Sequence, residues 1–97
     1  MMVLVTYDVN TETREGRSRL RKVAKICVDH GQRVQNSVFE CVITPAQFEE
    51  IKIKLRKVID NDLDNLRFYL LGKNWESRVE SMGKDNSYNP EKDSFIL

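Results

Sequence analysis

The feature that most constrains this fold is the order in which strand-like and helical hydrophobic patterns follow one another. Residues 2–8 form a near-continuous apolar, β-branched run that stops at Asp8, which is typical of a central strand covered on at least one face. Residues 15–30 change to helical spacing, because apolar side chains recur at i, i+3, i+4 and i+7 from Leu20 to Cys27. The chain therefore begins with a strand followed by a helix.

The middle of the chain predicts two further strands and a second helix. We expect Gly31 to stop the first helix. Residues 33–43 are rich in β-branched and aromatic side chains, and their length predicts two short strands that meet near residues 35–37. A second helix should follow, with Thr44 as its N-cap and Gln47 closing a capping box behind Pro45.

An apolar stripe runs along this second helix from Phe48 to Val58, and the acidic segment 60–64 ends it. Residues 66–71 predict a fourth strand. The order is then β-α-β-β-α-β, which right-handed crossovers fold into a four-stranded antiparallel sheet with both helices on one face. The other face keeps apolar side chains without a cover, which favours a homodimer formed through the two sheets.

Length and composition indicate one domain with a C-terminal extension. The 97 residues are too few for two domains. We expect a core domain over residues 1–72, and a C-terminal strand or amphipathic tail over residues 73–97. The chain closes on Phe95, Ile96 and Leu97, for which docking on a partner and packing on the same domain are both open.

Several classes of protein are disfavoured by the sequence. No run of apolar residues approaches the length of a membrane span or the core of a signal peptide, so neither a membrane nor a secretory route is expected. Cys27 and Cys41 match no CxxC or zinc-ligand spacing and are predicted to be core thiols of a cytoplasmic protein. The net charge of +1 gives no global reason to expect nucleic acid, so that argument depends on where the charges lie.

Asp8 is the first candidate for chemistry. An ordinary turn residue and a metal ligand are both open for an aspartate at the end of a strand. One aspartate holds Mg²⁺ poorly, because the ion prefers several oxygen ligands. A two-fold axis near this strand end would place two copies of Asp8 on one ion.

Basic residues on the first predicted helix are the second candidate. They outnumber the single acidic residue of that stretch, and they can form either a solvated helix face or a surface that contacts nucleic-acid phosphates. The predicted contacts are Arg14, Arg17, Arg19, Arg21 and Lys25.

Four segments together resemble the small CRISPR-associated adaptation proteins of the Cas2 family over residues 2–72, most closely the branch associated with subtype I-C systems. They are VLVTYDV at 3–9, GRSRLRKV at 16–23, RVQNSVFE at 33–40 and NLRFYLL at 65–71. The resemblance implies a ferredoxin-like fold with an extra C-terminal strand, a homodimer, and a role in spacer acquisition in which the dimer bridges integrase dimers and supports duplex DNA.

The same resemblance implies a site. Many family members are described as metal-dependent endonucleases on RNA or double-stranded DNA, with Mg²⁺ or Mn²⁺ at the strand-end aspartate. That role carries to Asp8 as catalytic residue and metal ligand, and the neighbouring catalytic tyrosine to Tyr7. The family arginines match Arg17, Arg19 and Arg33, which the resemblance implies bind nucleic acid, and it places Ser37 and Phe39 in support of the site.

Three functions therefore remain open from the sequence. The first is a scaffold that holds DNA for an integrase, docked through Phe95, Ile96 and Leu97. The second is a Mg²⁺-dependent phosphodiesterase that uses paired copies of Asp8. The third is a stand-alone endoribonuclease toxin of the VapD-like group, which shares the fold.

Overall fold

The predicted β-α-β-β-α-β order is confirmed in the computed structural model, which describes residues 1–83. The strands and helices, in chain order, are β1 (Met2–Asp8), α1 (Arg14–Val28), β2 (Gly31–Gln35), β3 (Val38–Val42), α2 (Pro45–Arg56) and β4 (Asn65–Gly72). A short 3₁₀ helix, Trp75–Arg78, follows β4.

The four strands form one antiparallel sheet in the order β2-β3-β1-β4, the ferredoxin-like arrangement. Strand β1 is central, with Val5 opposite Phe39 of β3 on one side and opposite Phe68 of β4 on the other. Because side chains alternate along a strand, Val3, Val5 and Tyr7 share one face, and all three are buried.

The core lies between that face of the sheet and the two helices. Residues from α1 and α2 pack in one cluster with the buried side chains of β1 and β3. Cys27 and Cys41 are wholly buried and unpaired as disulfides, which confirms the prediction of core thiols. The opposite face of the sheet presents alternate residues such as Leu4, Thr6 and Val38, which are only half-buried, whereas Met2 at the start of β1 is buried.

Both helices begin at side-chain caps. The Thr13 hydroxyl accepts a hydrogen bond from the Gly16 N–H at the start of α1. At α2 the predicted capping box is confirmed, since Thr44 and Gln47 bond reciprocally through side chain and backbone.

The predicted role of Gly31 is wrong. Helix α1 ends at Val28, two residues before the predicted end at residue 30, and Gly31 is the buried first residue of β2. A Cβ atom at this position would lie 1.8 Å from the carbonyl oxygen of Glu40 on β3. Glycine is needed here because two strand backbones approach closely, and its φ is not in the left-handed region.

Beyond β4, residues 73–83 contain the 3₁₀ helix and no strand. Trp75 is buried at the start of this helix. The predicted docking residues Phe95, Ile96 and Leu97 lie outside the described residues. Within residues 1–83, no helix is both long enough and apolar enough to cross a membrane.

Candidate functional site

Asp8 is the last residue of β1 and is exposed to solvent. Alternation along the strand places its side chain on the face opposite the helices, beside Asn65 of β4. No side chain among residues 1–83 pairs with its carboxylate. The carboxylate is therefore open to a ligand, which is consistent with its prediction as a site residue.

One chain supplies only part of a metal site at Asp8. The described residues contain no group of three histidine, cysteine, aspartate or glutamate side chains that could hold a metal ion. A single carboxylate leaves most of the coordination of Mg²⁺ or Mn²⁺ to water, a second protein copy or a substrate phosphate. Asp8 thus fits the predicted role of half a site, and it does not fit a complete site within one subunit.

A cleft of about 800 Å³ opens at the same end of β1, between α1 and the turn that joins β2 to β3. We call it the β1 cleft, and it is lined by Tyr7, Asp8, Val9, Thr11, Arg17, Leu20, Arg21, Ala24, Lys25, Val28, Arg33, Asn36 and Ser37. The Tyr7 N–H donates to the Ser37 carbonyl at 2.9 Å, which holds the β2–β3 turn against the strand end. The fold thus brings the end of β1 together with Ser37 and with residues of α1.

Four of the predicted phosphate-binding residues line this cleft, but they are not equally available. Arg17 donates from Nη1 to the carbonyls of Thr11 and Glu12, at 3.0 and 3.1 Å. Arg33 donates from Nε to the Asn36 carbonyl at 2.7 Å. These two guanidinium groups already hold loops in place, although both residues remain exposed.

Arg21 and Lys25 are different. Both are exposed, and neither side chain makes a hydrogen bond or ion pair with another residue in the described range 1–83. They lie four residues apart on α1, so their side chains neighbour each other on one helix face. We call Arg21 and Lys25 the uncommitted cations of the cleft, because their side chains have no bonding partner within residues 1–83.

Arg19 and Arg14 lie elsewhere on α1. Arg14 lines a separate shallow depression with Glu15, outside the β1 cleft. Arg19 forms a two-point ion pair with Asp64, which lies in the loop before β4: Nε to Oδ2 is 2.8 Å and Nη2 to Oδ1 is 3.1 Å. The carboxylate of Asp64 is fully buried, and the Arg19 side chain is 17% exposed.

Tyr7 joins this ion pair from the sheet. Its hydroxyl donates to Asp64 Oδ2, and the Asp60 N–H donates to the same oxygen at 3.0 Å. Tyr7, Arg19 and Asp64 form a buried polar trio that ties β1, α1 and the α2–β4 loop together. The predicted site residues Tyr7 and Arg19 are therefore held by Asp64, on the helix side of the sheet, while the neighbouring Asp8 faces the other way.

The trio shifts the protonation of its members. Burial and the hydrogen bond to Asp64 raise the pKa of Tyr7 above its usual range. Burial alone would raise the pKa of Asp64, but the hydrogen bonds from Arg19, Tyr7 and the Asp60 N–H outweigh it, and that pKa is lowered. The bond to Asp64 also raises the pKa of Arg19. The trio is thus held as an ionised pair with a protonated phenol.

Asp64 and its contacts were not predicted from the sequence. The acidic segment 60–64 reads only as a helix-ending loop, because its partners are 45 and 57 residues away in the chain. Phe39, predicted to support the site, is fully buried in the core, with the Arg33 guanidinium 5.6 Å from its ring centroid. Phe39 does not line the β1 cleft, and its ring meets the site only through this contact with Arg33.

Comparison with known proteins identifies the family. The model of the family described as CRISPR associated protein Cas2 matches residues 1–79. The CRISPR-associated endoribonuclease Cas2 of Chlorobaculum tepidum is 60% identical over 83 residues, which cover 86% of this chain and 86% of that protein. The CRISPR-associated endonuclease Cas2 of Halalkalibacterium halodurans is 50% identical over 91 residues, 94% of this chain and 95% of that protein.

Solved structures agree with these relatives. The crystal structure of Streptococcus pyogenes Cas2 matches with a TM-score of 0.80 and 70% identity, covering 86% of this chain and 100% of that one. The family match over residues 1–79 spans the segments that resemble the family in the sequence. The chain belongs to the Cas2 family of CRISPR-associated proteins.

Proposed function

We propose that this protein is a spacer-acquisition subunit, a homodimer that binds the phosphate backbone of duplex DNA and bridges integrase dimers. The observation that carries the proposal is the pair of uncommitted cations, Arg21 and Lys25, in the β1 cleft beside Asp8. Membership of the Cas2 family supports the CRISPR role over a stand-alone VapD-like toxin. Assignment to the subtype I-C branch is part of the proposal, and the neighbouring genes would test it.

Backbone contact is the role best suited to these cations. Arginine and lysine on one helix face attract phosphate oxygens without reading sequence, so binding should be strong at low salt and weaken as salt rises. Arg17 and Arg33 would add positive charge from the same cleft while keeping their loop contacts. Arg14 and Arg19 would contribute less, since one lies outside the cleft and the other is neutralised by Asp64.

The face of the sheet opposite α1 and α2 supports the homodimer. Leu4 and Tyr69 are paired neighbours on this face, Val38 and Val42 continue it across β3, and these side chains are half-buried or exposed in a single chain. Burying this surface against a second copy would remove apolar area from water. In the same proposal, Phe95, Ile96 and Leu97 dock on the integrase.

We further propose metal-dependent endonuclease activity on double-stranded DNA or RNA. The relatives named endoribonuclease and endonuclease support phosphodiester hydrolysis. Two copies of Asp8 would hold Mg²⁺ or Mn²⁺, and the chemistry that this ion would supply is polarisation of the phosphate or activation of water. The chain itself contributes an open carboxylate at Asp8, a nearby cationic surface that holds the substrate backbone, and Tyr7, whose bond to Asp64 fixes the end of β1.

Binding is tested with the double variant Arg21→Ala/Lys25→Ala, titrated with duplex DNA at several salt concentrations. Each lost phosphate contact should lower the slope of log affinity against log salt by about 0.9. The matched control is Lys54→Ala/Lys57→Ala, which removes the same charge from exposed positions at the end of α2. Equal losses in both variants would show that net charge alone drives binding.

Cleavage is tested separately with highly purified Asp8→Asn beside wild type, with and without metal. The control is Asp62→Asn, an exposed carboxylate in the loop before β4. Loss of metal-dependent cleavage only in Asp8→Asn supports the nuclease. Equal cleavage in all three proteins would assign the activity to a contaminant or another site. If Asp8→Asn has lost cleavage, spacer acquisition by that variant measures the scaffold role alone.

A further inference from the structure

Asp8 has a polar neighbour on the next strand. Asn65, the first residue of β4, is paired directly with Asp8 in the antiparallel ladder. The adjacent pair, Tyr7 and Leu66, packs on the helix side of the sheet, so alternation places both Asp8 and Asn65 on the opposite face. Directly opposed residues on one face have Cβ atoms about 4.5–5.5 Å apart. The amide of Asn65 therefore lies within reach of a ligand that the Asp8 carboxylate binds.

Both side chains are available to a ligand. Asp8 and Asn65 are exposed, and neither side chain makes a hydrogen bond or ion pair with another residue of the described range. An asparagine that serves only to shape a turn uses its amide on a nearby backbone group. Within residues 1–83 no such bond holds Asn65, so its amide oxygen is open to a ligand in the same way as the Asp8 carboxylate.

The backbone beneath this pair is fixed by the buried polar trio. On β1, Tyr7 directly precedes Asp8. Before β4, Asp64 directly precedes Asn65. The Tyr7 hydroxyl donates to the Asp64 carboxylate, which Arg19 also binds. Because a satisfied buried network is rigid, the two outward side chains project from strand ends whose spacing is already set, which favours a binding site.

A carboxylate and an amide are a suitable pair of ligands for a hard divalent cation. Mg²⁺ and Mn²⁺ prefer carboxylate, carbonyl and water oxygens. A carboxylate in place of Asn65 would repel Asp8 whenever the metal is absent, whereas the amide adds an oxygen without adding charge. Two copies of the chain would offer two carboxylates, which match the charge of the ion, and two neutral oxygens.

We propose that the amide oxygen of Asn65 is a second ligand, beside Asp8, for the divalent cation of the proposed nuclease. This inference rests on the proposed function, since it requires a metal ion at Asp8. It adds a residue of β4 to a site that otherwise belongs to the end of β1. Each copy of the chain then contributes two ligand groups to the shared ion.

The test measures binding of Mn²⁺ alone, without nucleic acid, by electron paramagnetic resonance of the free ion. The variants are Asn65→Ala and Asn65→Asp in the full chain. The controls are Asn61→Ala and Asn61→Asp, because Asn61 is also exposed and both asparagines border the same depression beside α2. Of the two, Asn65 alone is paired with Asp8. Circular dichroism and sedimentation check that all the proteins share one fold and one assembly state.

Asn65→Ala should weaken Mn²⁺ binding about fivefold, because water must replace a ligand that the fold has positioned, and Asn61→Ala should leave it unchanged. Asn65→Asp should tighten binding more than Asn61→Asp does, since a carboxylate oxygen then takes the place of the amide oxygen. Equal effects at the two positions overturn the proposal. Weaker binding by Asn65→Asp also overturns it, because the amide would then support Asp8 through its N–H groups instead of binding the ion through its oxygen.

Asp8→Asn separates this result from the proposed function. Loss of Mn²⁺ binding in Asp8→Asn, with unchanged binding in Asn65→Ala, overturns the second ligand and leaves the metal at Asp8 standing. Absence of Mn²⁺ binding by the parent protein, or binding that Asp8→Asn does not reduce, overturns both the second ligand and the metal-dependent nuclease.

Discussion

The guanidinium of Arg19 meets the carboxylate of Asp64 at two points, with Nε 2.8 Å from Oδ2 and Nη2 3.1 Å from Oδ1. A bidentate pair of this kind is both stronger and more directional than a single contact. It joins α1 to the loop before β4, and the Tyr7 hydroxyl extends it to β1. Arg19, which the sequence predicts as a nucleic-acid contact, is thus bonded to a buried carboxylate inside the fold.

Substitution of Asp64 should destabilise the protein strongly. Asp64→Asn removes a buried charge and leaves Arg19 without its partner, and we expect the free energy of unfolding to fall by about 2–3 kcal/mol. Denaturant titration followed by circular dichroism measures this. The control is Glu49→Gln, which breaks the exposed Glu49–Lys52 pair and should have little effect. Equal losses would contradict a structural role for the buried pair.

The same carboxylate should make stability depend on pH. Because the pKa of Asp64 is lowered in the folded state, its contribution is complete above the unfolded value of about 3.9 and is lost as pH falls through the lower folded value. The difference in unfolding free energy between wild type and Asp64→Asn should therefore shrink as pH falls below about 4. Asp62→Asn serves as the control. A difference that stays constant across this range would contradict the shift.

Tyr7→Phe separates a structural from a catalytic hydroxyl. The ring remains in the core, but the hydrogen bond to Asp64 is lost, so we expect a loss of about 1 kcal/mol in stability. Because the pKa of Tyr7 is raised, the phenol stays protonated at neutral pH. Cleavage, measured where both proteins are folded, should fall far less than in Asp8→Asn. A loss as large as that of Asp8→Asn would place the hydroxyl in the chemistry.

Gly31→Ala tests the contact between β2 and β3. The added methyl group would meet the Glu40 carbonyl, so the strands must separate and we expect the variant to unfold at a much lower temperature or to fail to fold. Gly72→Ala is the comparison, because its Cβ meets nothing within 4 Å and only the positive φ of 78° opposes it. That strain is about 1–2 kcal/mol. A milder effect at Gly31 than at Gly72 would contradict the close approach.

The elements could be predicted from the sequence because their signals are local. The capping box at Thr44 and the apolar run of residues 2–8 each lie within a few residues, and both are confirmed. The prediction that Gly31 stops the first helix is wrong for the same reason, because it used only local signals. A glycine after a helix is typical of a helix stop, and only the position of the Glu40 backbone shows that a crowded strand requires it.

The site could be predicted only in part. Asp8 and the cations of α1 stand out because carboxylates at strand ends and clusters of basic residues are visible in sequence. The sequence does not show which of those cations are bonded within the fold and which are available to a ligand, since this depends on partners distant in the chain. Asp64 neutralises Arg19, loop carbonyls hold Arg17, and Arg21 remains uncommitted.

Tyr7 and Asp8 are consecutive residues with opposite surroundings, one bonded to Asp64 in the core and the other open to solvent. Insertion or deletion of one residue in β1 would exchange their faces. It would carry the carboxylate towards Asp64, where two like charges repel, and would turn the phenol outwards. The position of Asp8 along β1 is therefore constrained by the interior of the fold, through the hydrogen bond that Tyr7 makes to Asp64.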